Sequence, residues 1–134
     1  MDSMKLCVAF ATDDGEVFMK RHFGDAMFYA VYEISENESL FIKRLENTTS
    51  EEEDIQHADV QKAKGISSLL KGEDIQVVVS QVFGPNINRI RKKFVPLIVK
   101  EPGIKQAINT IQQNISVILK EWERGTERKH VMLY

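Results

Sequence analysis

The sequence predicts a single α/β domain in which helices cover both faces of one mixed β-sheet. Three observations support this prediction. Strand-like segments come first along the chain, apolar strands then alternate with helical patterns, and 134 residues are enough for one compact core. The composition, 43% hydrophobic and 28% charged, argues against a disordered or fibrous chain.

The first part of the chain predicts three strands. Residues 5–11 are nearly all apolar, as in a strand buried on both faces, and a turn signal follows them. Aromatic and β-branched residues mark a second strand at 26–34, and apolar residues at 40–45 mark a third. The short polar turn between the second and third strands predicts an antiparallel hairpin.

Helices and strands alternate in the rest of the chain. Helical spacing of apolar residues predicts a helix over 55–71, and the apolar run 75–79 predicts a buried parallel strand. Pro85 suits the first turn of a short helix that runs towards residue 93. The run 95–99 predicts another strand, which Pro96 places at a sheet edge.

The last predicted element is one long amphipathic helix over 104–122. It closes a domain over residues 1–125, and residues 126–134 are expected to form a polar tail. The order of elements predicts a ribonuclease H-like, three-layer α/β/α arrangement. Its five-stranded mixed sheet has the order 3-2-1-4-5, with strand 2 antiparallel.

Charge, cysteine count and hydropathy exclude some classes of protein. A formal charge of −2 argues against a general nucleic-acid binder. One cysteine, Cys7, forms neither an internal disulfide nor a four-cysteine metal site, and we expect it to be a small buried hydrophobe. The start of the chain lacks the pattern of an export signal, and no apolar stretch reaches the roughly 20 residues of a membrane span. We therefore expect a cytoplasmic protein without a membrane partner.

A ligand site is expected where the first and fourth strands end, because open α/β sheets bind ligands outside the carboxyl ends of their parallel strands. Two loops, 12–25 and 80–86, leave the sheet there, and the segment 100–103 follows the neighbouring strand. The candidate ligand-binding residues in the two loops are His22, Phe23, Gly24, Ser80, Gly84, Pro85 and Asn86.

The chemistry of these loops suits an anion. Glycine lets the backbone approach a ligand closely, and the helix start after Pro85 offers free N–H groups. Lys20, Arg21 and Lys100 could add positive charge, whereas the cations at 89–93 lie further along the short helix. The alternative is that the glycines only make turns and the cations form a solvated face.

His22 is the candidate metal ligand, because a neutral imidazole binds soft and borderline metals. Considered alone, a loop histidine bonded to the backbone is the simpler interpretation.

We expect no catalytic activity. Asp13, Asp14 and Glu16 cluster in one turn, and a metal-dependent nuclease, the weakest alternative, would need carboxylates on other strands.

Two motifs give the chain a family resemblance. The segments His22-Phe23-Gly24-Asp25-Ala26 and Phe83-Gly84-Pro85-Asn86, with an apolar strand before the second, resemble the dinitrogenase iron–molybdenum cofactor biosynthesis family. The similarity extends over roughly residues 5–114. The resemblance implies a ribonuclease H-like fold without nuclease activity, in an accessory protein related to nitrogen fixation.

The resemblance further implies that the protein binds or carries a metal–sulfur cluster, either the iron–molybdenum cofactor, its precursor or another iron–sulfur cluster. By that implication His22 is the metal ligand, and backbone around Gly24 and Gly84, with nearby cations, holds the anionic cluster transiently. Cofactor-assembly proteins are the implied partners. The alternative is an anion- or protein-binding interaction module on the same fold, with no metal cluster.

Overall fold

A computed structural model of the protein describes residues 5–47, 70 and 74–133. Most of the helix predicted over 55–71 lies outside these residues. Leu70, the described residue of that segment, is helical and fully buried. No helix in the described ranges has the length and apolar character needed to span a bilayer.

The described strands form one six-stranded sheet. They are β1 (Lys5–Thr12), β2 (Phe28–Ser35), β3 (Ser39–Glu46), β4 (Val77–Ser80), β5 (Val95–Val99) and β6 (Val131–Leu133). The order is β3-β2-β1-β4-β5-β6. Strand β2 is antiparallel to β1 and β3, whereas the pairs β1–β4, β4–β5 and β5–β6 are parallel. The order of the first five strands and the antiparallel β2 agree with the prediction.

The sixth strand corrects the prediction of five. It lies in the segment 126–134, which the sequence predicts to be a polar tail, and it pairs with β5 from Leu97 to Val99. Strand β5 therefore lies between β4 and β6 and is not an edge strand. The pairing with β6 begins only after Pro96, so the N–H group that proline lacks is outside this ladder.

Within residues 74–133, three α-helices accompany these strands: α1 (Ile87–Ile90), α2 (Ile104–Gln112) and α3 (Ile115–Trp122). The prediction of one continuous helix over 104–122 is wrong, because the helix is interrupted at Asn114. The side-chain Nδ2 of Asn114 donates to the carbonyl of Thr110 at 2.8 Å, and its backbone N–H turns to Ile111 instead. In a continuous helix the carbonyl of Thr110 would accept the backbone N–H of Asn114. Here the side chain of Asn114 occupies that carbonyl instead.

Each face of the sheet carries its own apolar core. Val8 and Phe10 of β1 face α2 and α3, whereas Ala9 and Ala11 face the opposite layer with Ile90 of α1. This alternation follows from the two-residue period of a strand. Both faces of β1 and β4 are covered, which explains why these strands are almost entirely apolar in sequence.

Strand β3 forms one edge of the sheet. Phe41 lies opposite Tyr32 and Lys43 lies opposite Val31, so Ile42 has no partner on β2 and forms a bulge. Leu40, Phe41 and Ile42 are all exposed.

Candidate functional site

Three chain segments meet beyond the carboxyl ends of β1, β4 and β5, and we call the surface they form the mouth (residues 12–25, 80–86 and 100–103). The backbone N–H of Phe23 donates to the carbonyl of Val82 at 2.9 Å, joining the first two segments. The N–H of Phe18 donates to the carbonyl of Pro102 at 2.8 Å, joining the first and third. The structure thus brings together the segments that the sequence placed at this edge.

Gln81 fastens the second segment to the third. Its Nε2 donates to the carbonyls of Lys100 and Glu101, at 3.0 and 3.1 Å. No motif marked this glutamine in the sequence, because its role depends on two backbone carbonyls that only the folded chain places within reach. These bonds hold the mouth in shape before any ligand arrives.

An aromatic cluster supports the mouth from below. Phe23 is fully buried and stacks on Phe83 from the other loop, with ring centroids 5.1 Å apart and planes at 21°. The hydroxyl of Tyr29 donates to the carbonyl of Phe23 at 2.9 Å. Burial, and to a smaller extent the charge of Asp25, raises the pKa of Tyr29 above its usual value, so the hydroxyl stays protonated as a donor.

Above this cluster the side chain of His22 is exposed and lies directly against Gly84. A Cβ at Gly84 would stand 2.6 Å from Nδ1 and 2.8 Å from Cε1 of the imidazole. Gly84 also has a φ of +74°, a conformation that side chains disfavour. Only glycine therefore allows both this backbone turn and the position of the ring.

The other predicted residues have different surroundings. Phe23 and Ser80 are fully buried, so their side chains present no surface to a ligand. Gly24 is half-buried, and its carbonyl accepts a hydrogen bond from Nδ2 of Asn47 at 3.0 Å. Pro85 is exposed and Asn86 half-buried in the 3₁₀ turn Gly84–Asn86 that precedes α1. Asn47, which also bonds the carbonyl of Ala26, was not identified from the sequence.

The helix whose start is expected to bind anions is shorter than predicted. After the 3₁₀ turn, α1 has four residues, and the chain then turns through residues 91–94 into β5. So short a helix aligns few peptide dipoles, and the positive end of its dipole is correspondingly weak. Positive charge at the mouth comes instead from Lys20 and Lys100, which are exposed and have no side-chain partner among the described residues.

The acidic turn after β1 is used to shape its own loop. Asp14 accepts hydrogen bonds from the N–H groups of Val17 and Glu16, and these bonds lower the pKa of its carboxyl. Asp13 pairs with Arg21 at 2.5 Å and accepts the N–H of Met27. Arg21 is therefore occupied by a neighbouring carboxylate.

Metal-binding side chains are sparse around His22. No group of three or more histidine, cysteine, aspartate or glutamate side chains within the described ranges is arranged to hold a metal ion. Cys7 is half-buried rather than fully buried, and it lies near the start of β1, at the opposite end of the sheet from the mouth. The arrangement can therefore offer one imidazole, backbone groups and two lysines to a ligand, and it also holds the carboxylate of Glu101, whose buried Oε1 has no hydrogen-bond partner among the described residues.

Lys92 and Lys93 also lie away from the mouth, beside Cys7 in a cavity at the opposite end of the sheet. A signal for this was present in the sequence. Both lysines lie within three residues of the start of β5, and the start of a parallel strand is at the end opposite to the mouth.

Comparisons with known proteins relate the chain to one family. A family model described as dinitrogenase iron-molybdenum cofactor matches residues 4–114, which is more than half of the chain. The chain also resembles a crystal structure from Methanocaldococcus jannaschii, provisionally described as a dinitrogenase, with a TM-score of 0.58 and 19% identity. That match covers 85% of this chain and 92% of the other, and at this identity it supports the fold alone. No curated protein matches the chain.

Proposed function

Because the chain belongs to the dinitrogenase iron–molybdenum cofactor family, we propose that it is a non-catalytic, cytoplasmic protein that carries a metal–sulfur cluster at the mouth. The cluster, the iron–molybdenum cofactor or a precursor of it, would be cargo that is passed on to cofactor-assembly proteins. The observation that carries the proposal is the exposed imidazole of His22 seated on Gly84. The sheet order further supports a ribonuclease H-like arrangement.

The position of the ring favours one nitrogen as the metal ligand. Nδ1, Cε1 and Cγ are the ring atoms nearest to the Cβ position of Gly84, so Nε2 is the nitrogen on the more distant side. A neutral imidazole nitrogen is a good ligand for iron and similar metals. The close contact with Gly84 limits the orientations of the ring, which reduces the entropy lost when a cluster binds.

The ligand set fits temporary carriage better than permanent incorporation. Resident iron–sulfur clusters are usually held by several thiolates, whereas the described residues place a single histidine at the mouth and their one cysteine elsewhere. Lys20 and Lys100 would attract an anionic cluster without fixing its geometry. One coordinate bond and weak electrostatic attraction allow the cargo to be transferred.

The hydrogen bonds of the acidic turn support a non-catalytic role. A two-metal nuclease needs carboxylates free to converge on metal ions. Asp14 is instead engaged with backbone N–H groups, and Asp13 is paired with Arg21. The engagement of these two carboxylates supports the non-catalytic role that we propose.

A second candidate is an interaction module that binds an anionic protein without a cluster. Val17 and Val82 are 46% and 40% exposed at the mouth, whose segments also carry Lys20 and Lys100, both exposed. Exposed apolar groups bordered by cations suit a protein contact. This candidate predicts binding that weakens with salt and does not require metal.

Anaerobic titration with isolated iron–molybdenum cofactor, followed by electron paramagnetic resonance, tests the proposal. We expect H22A to weaken binding by about tenfold or more. H130A, which removes another exposed histidine, should bind like the wild type. Equal binding by H22A and the wild type would refute the ligand assignment, and no binding by any variant would refute cluster carriage. Metal-independent binding of an acidic protein would then favour the second candidate.

A further inference from the structure

A cavity of about 670 Å³ lies at the opposite end of the sheet from the mouth. It opens where β1, β4 and β5 begin and beside the end of α3, and we call it the basal cavity. Its wall includes Cys7, Gln76, Lys92, Lys93, Trp122 and Arg128. Small-molecule sites typically enclose about 300–1,000 Å³, so the basal cavity is large enough for a ligand.

The wall of the basal cavity carries more positive than negative charge. Lys5 and Glu33 also line it, and they neutralise each other as an ion pair at 3.5 Å. Asp74 is the remaining acid among the described lining residues, against three cations. The ammonium groups of Lys92 and Lys93 have no ion-pair partner within the described part of the chain.

Arg128 is a fixed cation in this wall. The residue is only 8% exposed, and its guanidinium lies 4.2 Å from the ring centre of Trp122. Its Nε donates to the carbonyl of Trp122 at 2.9 Å, and Nη1 donates to the carbonyl of Lys92 at 3.0 Å. The guanidinium has five N–H groups, and those left over have no acceptor among the described residues.

In this wall one cation, Arg128, is held in a fixed position, whereas Lys92 and Lys93 add charge on side chains that can move. Two carbonyls and an aromatic ring hold the planar guanidinium of Arg128, so it loses little freedom when it binds a ligand. A planar guanidinium matches the paired oxygens of phosphate and carboxylate groups. Lys92 and Lys93 are exposed and can adjust to further oxygens of the same ligand.

We propose that the basal cavity binds a small anion with several phosphate or carboxylate oxygens, oriented by Arg128 and neutralised by Lys92 and Lys93. The site is separate from the mouth and does not depend on cluster carriage. Arg128 also joins the turn before β5 to the segment before β6. We therefore expect an anion bound in the basal cavity to stabilise the packing of β6 on the sheet.

Trp122 provides the signal for a test, because it is the one tryptophan of the chain and lines the cavity. The intact protein is titrated with pyrophosphate and with citrate at constant ionic strength, and tryptophan fluorescence is followed. We expect a saturable change with at least one of the two. Tighter binding of pyrophosphate would identify phosphate chemistry, and tighter binding of citrate would identify carboxylate chemistry.

Substitutions inside and outside the basal cavity test whether the anion binds there. The double variant K92Q/K93Q should weaken binding by about tenfold or more, and it changes only side chains that are exposed. K43Q/K105Q removes the same charge at exposed positions outside the basal cavity and should bind like the wild type. H22A should also leave the affinity unchanged, which separates this site from the mouth. The proposal is overturned by the absence of a saturable response, by equal losses in the two double variants, or by loss of binding in H22A.

Discussion

Replacing Gly84 with alanine tests whether the mouth is built around its contact with His22. The backbone of Gly84 has a φ of +74°, and a Cβ there would stand 2.6 Å from Nδ1 of the imidazole. A residue with a Cβ pays roughly 1–2 kcal/mol in the left-handed conformation. The Cβ also requires the ring to move away by close to an ångström. We therefore expect G84A to unfold more easily by about 1–2 kcal/mol and to displace His22.

Gly125 supplies a matched control for the backbone cost. Its φ is +62°, and a Cβ there would meet no atom within 4 Å. G125A should lower the free energy of unfolding by a similar 1–2 kcal/mol, roughly, without moving His22. The two variants thus share the conformational penalty and differ in the contact with the ring.

Urea denaturation measures the free energy of unfolding, ring resonances in NMR spectra report the position of His22, and anaerobic titration measures cluster affinity. We expect G84A to lose affinity almost as far as H22A does, and G125A to retain it. H22A alone should change the free energy of unfolding by less than about 0.5 kcal/mol, because its side chain is exposed. Wild-type stability of G84A together with unchanged His22 resonances would show that the mouth is not built around this contact.

The hydrogen bonds and the packing at the mouth are each open to a test by substitution. F23A empties a fully buried position and should cost about 3–5 kcal/mol in urea denaturation; a loss under 1 kcal/mol, roughly, would contradict the aromatic cluster. The folded-state pKa of Asp14 lies below its ordinary 3.8, so its stabilising effect is present above that value and is lost as the pH falls through the lower pKa. D14N should accordingly flatten the acid-unfolding curve below about pH 4, and a curve as steep as that of the wild type would exclude this role. N47A removes the bonds to Gly24 and Ala26 and should cost about 1–3 kcal/mol, with faster hydrogen exchange at the Asp25 amide; unchanged exchange would contradict it.

The sequence predicts the centre of the fold well because burial on both sides leaves a clear trace. Strands β1 and β4 are apolar at almost every position since helices, loops or both cover each face. The order of the first five strands then follows from short connections and right-handed crossovers.

Local interactions that periodicity does not record explain the errors. Ile111 and Ile115 keep helical spacing across the break, so the pattern continues although the side chain of Asn114 ends the helix. Strand β6 has three residues, too few for a strand pattern, and its apolar side chains become meaningful only beside β5. Pro96 indicated an edge because no partner for the far side of β5 was visible in the sequence.

The candidate site, like the fold, could be predicted from the sequence only in part. Strand order was enough to predict that the loops containing His22 and Gly84 emerge at one edge of the sheet. Their direct contact could not be predicted, because it joins distant positions and depends on the orientation of a ring. The basal cavity was missed because Arg128 lies in a segment predicted to be a tail, and its role depends on two backbone carbonyls.

The bulged edge strand affects how the protein behaves at high concentration. Leu40, Phe41 and Ile42 are consecutive and exposed on the outermost strand β3, which is the type of surface through which molecules aggregate. The bulge at Ile42 twists this edge locally, and Lys43 and Arg44 follow it at once. A neighbouring molecule therefore meets a distorted edge with charged side chains, in which Arg44 is paired with Glu46, instead of a straight apolar one, and we expect this irregularity to limit edge-to-edge aggregation.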